Sequence, residues 1–454
     1  MSKRFINFGV IGCGLMGREF ASAAGRWCHL LNLDFAPRIV AACDANPKAA
    51  EWFEQNVGVP FVTTDYRQLL DNREVEAVYC AVPHDLHAQL YCDIIRAGKH
   101  LLGEKPFGID LQANAAINKA IRENPNVLVR CSSEFPFFPG PYRIAQWARD
   151  GRFGKIIEVE AGFWHSSDLD PRKPINWKRR VATCGEYGVL GDLGMHVVHL
   201  PLRFGWRPKN VRALLSKIVT ERPDPANAGA LVPCETWDNA TLACEVETAR
   251  VGPASSLSSV VRGSPDPAHP ATEGLQSSAK LGDLTVGAAA RSGDLRQTKE
   301  TFPMILSTKR IAPGHANTWF IRIYGTALSV EYTTKNPKQL ASLPYAPNGG
   351  IGVPPVHSES RAGGTPAPPS GDQAWRVEDL PYKSAYEAIT GSIFEFGFPD
   401  AILQMWAAFC DELANGAKMK QPFHCATPEE AAASHELFTA ALESQKTGQT
   451  VALK

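Results

Sequence analysis

The chain has 454 residues, 44% hydrophobic and 21% charged, and its 47 Lys+Arg balance 47 Asp+Glu. That length suits two domains, and the composition is that of a globular protein able to bury large cores. A formal net charge of zero supplies no field to favour nucleic acid or an anionic membrane surface, so neither is expected as a partner.

The opening, MSKRFINFGV, runs almost directly into an apolar strand, with no h-region or cleavage site, so no signal peptide is expected. No uninterrupted apolar stretch reaches the roughly 18 residues needed to span a bilayer. The 11 cysteines are scattered and never spaced C-x-x-C, and Cys43, Cys80 and Cys131 sit inside apolar runs. Free buried thiols in a reducing compartment account for them better than disulfides or zinc, so a cytoplasmic enzyme is expected.

Taken in order, FINFGVIGCG ends an apolar strand on glycines and LMGREFASAAGR reads as a helix. RIVAACD is a second strand closing on Asp44, and NPKAAEWFEQN a second helix. PFVTT and EAVYCAV are strands, DLHAQLYCDIIRAG a helix, KHLLGE a strand, LQANAAINKAIREN a helix and NVLVRCSSE a last strand. This alternation predicts βαβ units and a doubly wound parallel sheet over residues 1–132.

From 133 to 454 the rhythm changes. GKIIEVEAGFW, VRALLSKIVT, TWDNATLACEVE and TWFIRIYG are longer strands without regular helices between them. They predict a second, α+β domain built on a mostly antiparallel sheet. Stretches rich in Ser, Pro, Gly and Ala at 251–300 and 346–372 read as insertions or long surface loops. AILQMWAAFCDELANG and TPEEAAASHELFTAALESQKTG close the chain as helices, the second with Thr427 as N-cap and Glu430 three residues on.

Gly12, Gly14 and Gly17 form G-x-G-x-x-G between the first strand and the first helix, with Leu15 and Met16 inside the motif. A tight turn, a close backbone approach to pyrophosphate and close helix–strand packing each exclude a side chain, and the helix N-terminus offers free N–H groups. The context predicts a dinucleotide site. Asp44 ends the second strand, where a carboxylate accepts ribose hydroxyls and repels a 2′-phosphate. NAD is therefore expected over NADP, with Arg38 and Lys48 near enough in sequence to soften the rule. The alternative for Asp44 is a turn-capping role.

LLGEKPFG places Glu104 and Lys105 at the carboxyl end of an apolar strand, where ligands bind in open parallel sheets. Lys105 there can hydrogen-bond a substrate hydroxyl. GDLGMHVVHL offers Asp192 and His196 four apart, on one helical face. A neutral imidazole can take an alcohol proton, while the carboxylate binds a neighbouring hydroxyl or orients the ring. His199 reads as a core residue. His84 and His87 have no third ligand beside them, so no metal is expected.

Together VIGCGLMG, AVPHDLHAQLYCDIIRAGKHLLGEKPFG, GKIIEVEAGFW and GDLGMHVVH resemble the Gfo/Idh/MocA oxidoreductases. The resemblance is strong over 5–200 and weaker over 317–334 and the closing helices. It implies a Rossmann domain followed by an α/β domain whose open sheet commonly joins copies into a homodimer or homotetramer. It assigns Lys105, Asp192 and His196 to catalysis, Glu104 to the nicotinamide side, and Pro83 and His87 to the cofactor lining. The segment WHSSDLDPRKPINWKRR, with Trp164 and Arg179, sits where family members contact substrate; its cations bind a substrate anion or form a solvated loop. The implied activity is NAD-dependent oxidation of a secondary hydroxyl on a sugar, cyclitol or sugar derivative. Alternatives are a redox-neutral, NAD-dependent glycoside-cleaving enzyme and a nucleotide-sensing regulator.

Overall fold

The fold was obtained as a computed structural model that describes residues 3–227, 229–248, 301–345, 374–391 and 393–453. Both Ser/Pro/Gly-rich stretches, 251–300 and 346–372, therefore lie outside the described residues.

Six strands build the first sheet: β1 (Arg4–Ile11), β2 (Phe35–Cys43), β3 (Phe61–Thr63), β4 (Ala77–Cys80), β5 (His100–Gly103) and β6 (Val129–Cys131). They pair in parallel in the order β3-β2-β1-β4-β5-β6. Every residue of β4 is buried, as the near-continuous apolar run of a doubly covered parallel strand requires. The strand order reverses between β1 and β4, which opens a crevice beyond their carboxyl ends.

The second sheet contains β7 (Ile156–Trp164) and β8 (Trp206–Ser216), followed in the chain by a small separate hairpin, β9 (Glu221–Pro223) and β10 (Leu231–Pro233). It continues with β11 (Asn239–Thr248), β12 (Thr301–Lys309), β13 (Thr318–Gly325), β14 (Leu328–Thr333), β15 (Gln339–Pro344), β16 (Arg376–Asp379) and β17 (Val451–Ala452). The nine strands run in the order β16-β15-β14-β13-β7-β12-β11-β8-β17. Among the described strands of this sheet, only the β7–β12 pairing is parallel. The sheet is mixed and mostly antiparallel, as its long alternating strands predict.

Alternation sorts this sheet's two faces. Val159, Ala161 and Phe163 of β7 are buried on the face that meets the helix Met195–Arg203. Gly162 and Trp164 point the other way, against Phe320 of β13.

The closing helices tie the two sheets together. Helix Phe398–Asn415 packs on the first sheet, where Trp406 stacks on Phe20 with ring centroids 3.6 Å apart and meets Phe8 edge-on at 5.2 Å. Burying rings of this size contributes roughly 1.5–3 kcal/mol each. Cys131 at the end of β6 donates to the Ala426 carbonyl at 2.8 Å. Helix Pro428–Thr447 then starts on the expected capping box: Glu430 N–H donates to Thr427 Oγ1 and Thr427 N–H to Glu430 Oε2. That helix packs across β8 of the second sheet.

Candidate active site

The crevice between β1 and β4 is lined by the glycine loop. A Cβ on Gly12 would lie 2.2 Å from the Ala81 carbonyl oxygen, and one on Gly17 2.2 Å from that of Gly12, so neither position admits a side chain. Gly14 faces open space at the start of helix Leu15–Gly25, and Leu15 is 76% exposed beside it. Asp44 Oδ2 accepts from Cys13 N–H and Oδ1 from Asn46 N–H, both at 2.8 Å. These bonds fix the carboxylate at the crevice and leave each oxygen further lone pairs. The cradle fits a dinucleotide: backbone N–H groups for pyrophosphate and an acceptor for ribose hydroxyls. Arg38 lies back along β2 with its guanidinium 4.3 Å over the Phe5 ring, away from Asp44.

The Glu104–Gly108 turn follows β5 and is braced from several elements. Tyr91 donates to the Glu104 carbonyl at 2.8 Å, and Tyr79 to the Glu104 carboxylate at 2.7 Å. The Pro106 carbonyl meets His435 Nε2 at 2.7 Å, and the Phe107 carbonyl accepts from Asn114 Nδ2 at 3.0 Å. The Lys105–Pro106 bond is cis, and Phe107 takes a left-handed φ of 71°. A large residue in that region is strained, and the bracing holds it there.

This turn delivers Lys105 to Asp192. Its Nζ donates to the Asp192 carbonyl at 2.7 Å and to Oδ1 at 3.3 Å. Asp192 sits in a π-turn, Leu190–Gly194, that leads into helix Met195–Arg203. Lys178 Nζ reaches both its oxygens, at 3.0 and 3.1 Å, and Arg310 Nε reaches Oδ2 at 3.2 Å. Burial works against the charge of Asp192, but Lys178, Lys105 and Arg310 hold it well below the usual carboxylate range. Burial likewise works against Lys105, yet the Asp192, Glu104 and Glu134 carboxyls hold it above its ordinary value. The Lys105 side chain keeps 16% of its surface exposed and Asp192 keeps 1%, so the ammonium, not the carboxylate, is what a ligand can touch.

His196 lies one turn further on, packed edge-on against Phe135 at 5.2 Å and Phe163 at 5.6 Å. Trp319 holds its carbonyl at 2.8 Å. Burial first, and then Lys105, keep the imidazole well below its ordinary value, hence neutral. Its Nδ1 is buried without a hydrogen-bond partner, 3.8 Å from Glu134 Oε2. Glu134 follows β6 and is itself buried; burial and the neighbouring Glu104 push its carboxyl up to about 8.

The structure thus gathers Lys105 and Glu104 from the turn after β5 with Asp192 and His196 from the π-turn and the helix that follows it. It moves other expected residues away. Arg179 is fully buried, paired with Asp238 and with Asp168 at 3.5 Å, so it is a structural cation and not a substrate contact. Trp164 lies on the far face of the second sheet, its Nε1 donating to Ser307 and its ring under Lys309; strand alternation puts it opposite His196. Its neighbour His165 is the residue turned to the cluster, where burial lowers it to about 4 while Asp192 acts against that shift. His87 follows Pro83 past β4, but both its nitrogens are taken: Gly108 N–H donates to Nδ1 and Nε2 meets the Val82 carbonyl. Stacked on Tyr91, it braces the turn rather than offering a polar contact to a ligand. Asp192 is too enclosed by cations to bind a substrate hydroxyl directly.

Of the basic segment, Lys178 alone is seen reaching Asp192; Arg172 folds back on Asp170 and Lys173 donates to the Ser167 carbonyl. Arg310, Glu134 and His165 were not expected from sequence. Arg310 lies just past β12, far along the chain from Asp192, and the run TKRIAPGH carries no motif; for Glu134 the available signal was a carboxylate three residues past the end of an apolar strand, a weaker form of the one that singles out Glu104.

A dinucleotide crevice joined to a Lys–Asp–His cluster defines a nicotinamide-dependent oxidoreductase architecture. Residues 6–131 match the model of the oxidoreductase family with NAD-binding Rossmann fold, and residues 142–264 match the Gfo/Idh/MocA C-terminal domain. The chain belongs to the Gfo/Idh/MocA family. It is 26% identical over 219 residues to levoglucosan dehydrogenase of Pseudarthrobacter phenanthrenivorans, covering 48% of this chain and 56% of that protein. It is 30% identical over 192 residues to inositol 2-dehydrogenase of Rhizobium meliloti, covering 42% of this chain and 52% of that one. The matches thus span about half the length of these curated relatives. A solved levoglucosan dehydrogenase in complex with NADH and levoglucosan shares the fold, with a TM-score of 0.74 at 17% identity over 99% of this chain and 100% of that one. Among the described residues no helix is long and apolar enough to cross a membrane.

Proposed function

We propose that the protein is an NAD-dependent dehydrogenase acting on a secondary hydroxyl of a neutral sugar, cyclitol or sugar derivative. The observation that carries this reading is Lys105, held charged and partly exposed by Asp192, with a neutral His196 one helical turn beyond. The glycine loop and Asp44 would hold NAD, which, when bound, supplies the acceptor for the hydride leaving the carbinol carbon. His196 takes the hydroxyl proton. Lys105 donates to the same oxygen, favouring the charge that develops on it. Asp192 acts through Lys105: its carboxylate and carbonyl fix the ammonium, while Lys178 and Arg310 keep that carboxylate ionised and still.

Two further points support the substrate class. Lys178 is already matched by Asp192, Arg172 by Asp170, and Arg179 is buried with Asp238, so these three cations of the segment are each committed to a carboxylate of the chain itself. The named relatives are a sugar dehydrogenase and a cyclitol dehydrogenase. The outward face of the second sheet, with Trp164, Ile305 and Phe320, is the surface on which copies would meet; light scattering reads the assembly.

The test is a panel of neutral sugars, cyclitols, acidic sugars and aryl glycosides with NAD, following both NADH absorbance and aglycone release. Net NADH from a neutral polyol is expected. Aglycone release without net NADH would replace the reading with redox-neutral cleavage, and turnover only of acidic sugars would overturn the neutral-substrate assignment.

A further inference from the structure

Two features near the cluster are unexplained by the proposed reaction: the orphaned Nδ1 of His196 and the buried carboxyl of Glu134, which lies just past β6. An imidazole that accepts a proton at Nε2 must carry its own proton on Nδ1, and a buried N–H with no acceptor costs about 1–3 kcal/mol. Phe135 and Phe163, the rings packed edge-on against His196, offer no acceptor. Glu134 Oε2, at 3.8 Å, lies within a small side-chain adjustment of hydrogen-bond range, and such bonds often tighten only when substrate is bound.

We infer that Glu134 is a positioning residue for His196: its carboxyl group takes the Nδ1–H, fixing the tautomer that presents the Nε2 lone pair to the substrate hydroxyl. The inference rests on the proposed dehydrogenase reading. In the oxidation, the O–H bond breaks as its proton moves to Nε2. The C–H bond breaks with its electron pair leaving as hydride, and the C=O bond forms. Nδ1 keeps its proton throughout, and the imidazolium positive charge faces Glu134.

The groups facing Glu134 are Glu104 and Lys105 from the turn after β5, Tyr79 from β4 and His196 from the helix Met195–Arg203. Burial and Glu104 raise Glu134 and Lys105 opposes them, leaving a carboxyl that ionises at about 8. The sign follows. Below that pH the group is a neutral acceptor; above it a carboxylate strengthens the bond to the imidazolium, so kcat rises with pH through this ionisation. His196, lowered well below its ordinary value, contributes no limb there.

Two measurements test this. In side-chain nitrogen spectra of 15N-histidine-labelled protein, with His196→Ala locating the resonance, the wild type should show the Nδ1–H tautomer. Glu134→Gln, which keeps an acceptor oxygen, should retain it, and Glu134→Leu should lose it. In kinetics, Glu134→Gln should lower kcat about tenfold on the alkaline side, where a charged acceptor has become a neutral one. It should also erase the limb near the carboxyl's ionisation and leave KM and NAD affinity unchanged. In a His196→Ala background the same change should do nothing further. An unchanged tautomer in Glu134→Leu, or an alkaline limb that persists in Glu134→Gln, overturns the inference. The spectra need no turnover, so they decide Glu134's role even if no sugar or cyclitol is oxidised, which would be a failure of the dehydrogenase reading alone.

Discussion

Asp44 and Asp192 are carboxylates in the two halves of one site, and their surroundings make them opposites. Asp44 is fixed by two backbone N–H groups, from Cys13 and Asn46, and each oxygen keeps lone pairs toward the crevice. Asp192 is fixed by three cations, Lys105, Lys178 and Arg310, and is sealed from solvent. The first can accept hydroxyls from a ligand. The second can only hold its neighbours in place. A carboxylate in a site is thus a ligand contact or a clamp according to what already occupies its lone pairs.

The comparison can be broken most severely at Asp192. Asp192→Asn leaves three cations around a neutral amide, and removing one partner of a buried ion cluster costs about 3–5 kcal/mol. Urea denaturation should show a lower midpoint with an unchanged slope, and kcat should fall because Lys105 loses its anchor. A variant as stable as the parent would mean that Asp192 is not the clamp.

His196→Ala removes the proton acceptor, and general-base help is worth about 10²–10⁴ in rate, so kcat should fall at least about a hundredfold. NAD affinity, measured by fluorescence quenching, should not change, because the imidazole belongs to the Asp192 half.

Asp44→Ala should act on the other half alone. It should narrow the preference for NAD over NADP by roughly tenfold, about 1.4 kcal/mol, read by calorimetry. Equal affinity for both cofactors in the unmodified protein would remove Asp44 from the ribose.

The smallest effect is expected at Arg172, an exposed side chain that folds back on Asp170. Arg172→Ala should change stability by less than about 0.5 kcal/mol and leave kcat/KM and its salt dependence as they were. A large loss would return the basic segment to substrate recognition.

The Asp44 half was legible in sequence because its parts are local. A strand, three glycines and a helix lie within a short run; Gly12 and Gly17 answer steric needs within the fold, and Gly14 leaves open space at the helix start. The E-K-P turn and the Asp192–His196 spacing were legible for the same reason. What remained hidden depends on side-chain direction and on distant segments. Arg310 reaches Asp192 across 118 positions of chain, a contact no local pattern encodes. Trp164 and His165 are adjacent, and one residue of strand register decides which of them faces the cluster. Arg179 reads as a free cation until its burial against Asp238 is seen. Fold class survives such ignorance because it rests on periodicity; the membership of a site does not.

The most direct test of the account is the turnover of Lys105→Met on a polyol that the wild type oxidises, with NAD affinity measured alongside. Lys105 is held by Asp192 at the carboxyl end of β5 and still keeps part of its side chain exposed, which leaves it able to meet a substrate oxygen. The account predicts a loss in kcat of at least about a hundredfold with NAD affinity preserved. Wild-type turnover in Lys105→Met would show that the lysine serves only to balance the buried carboxylate, and would contradict the mechanism.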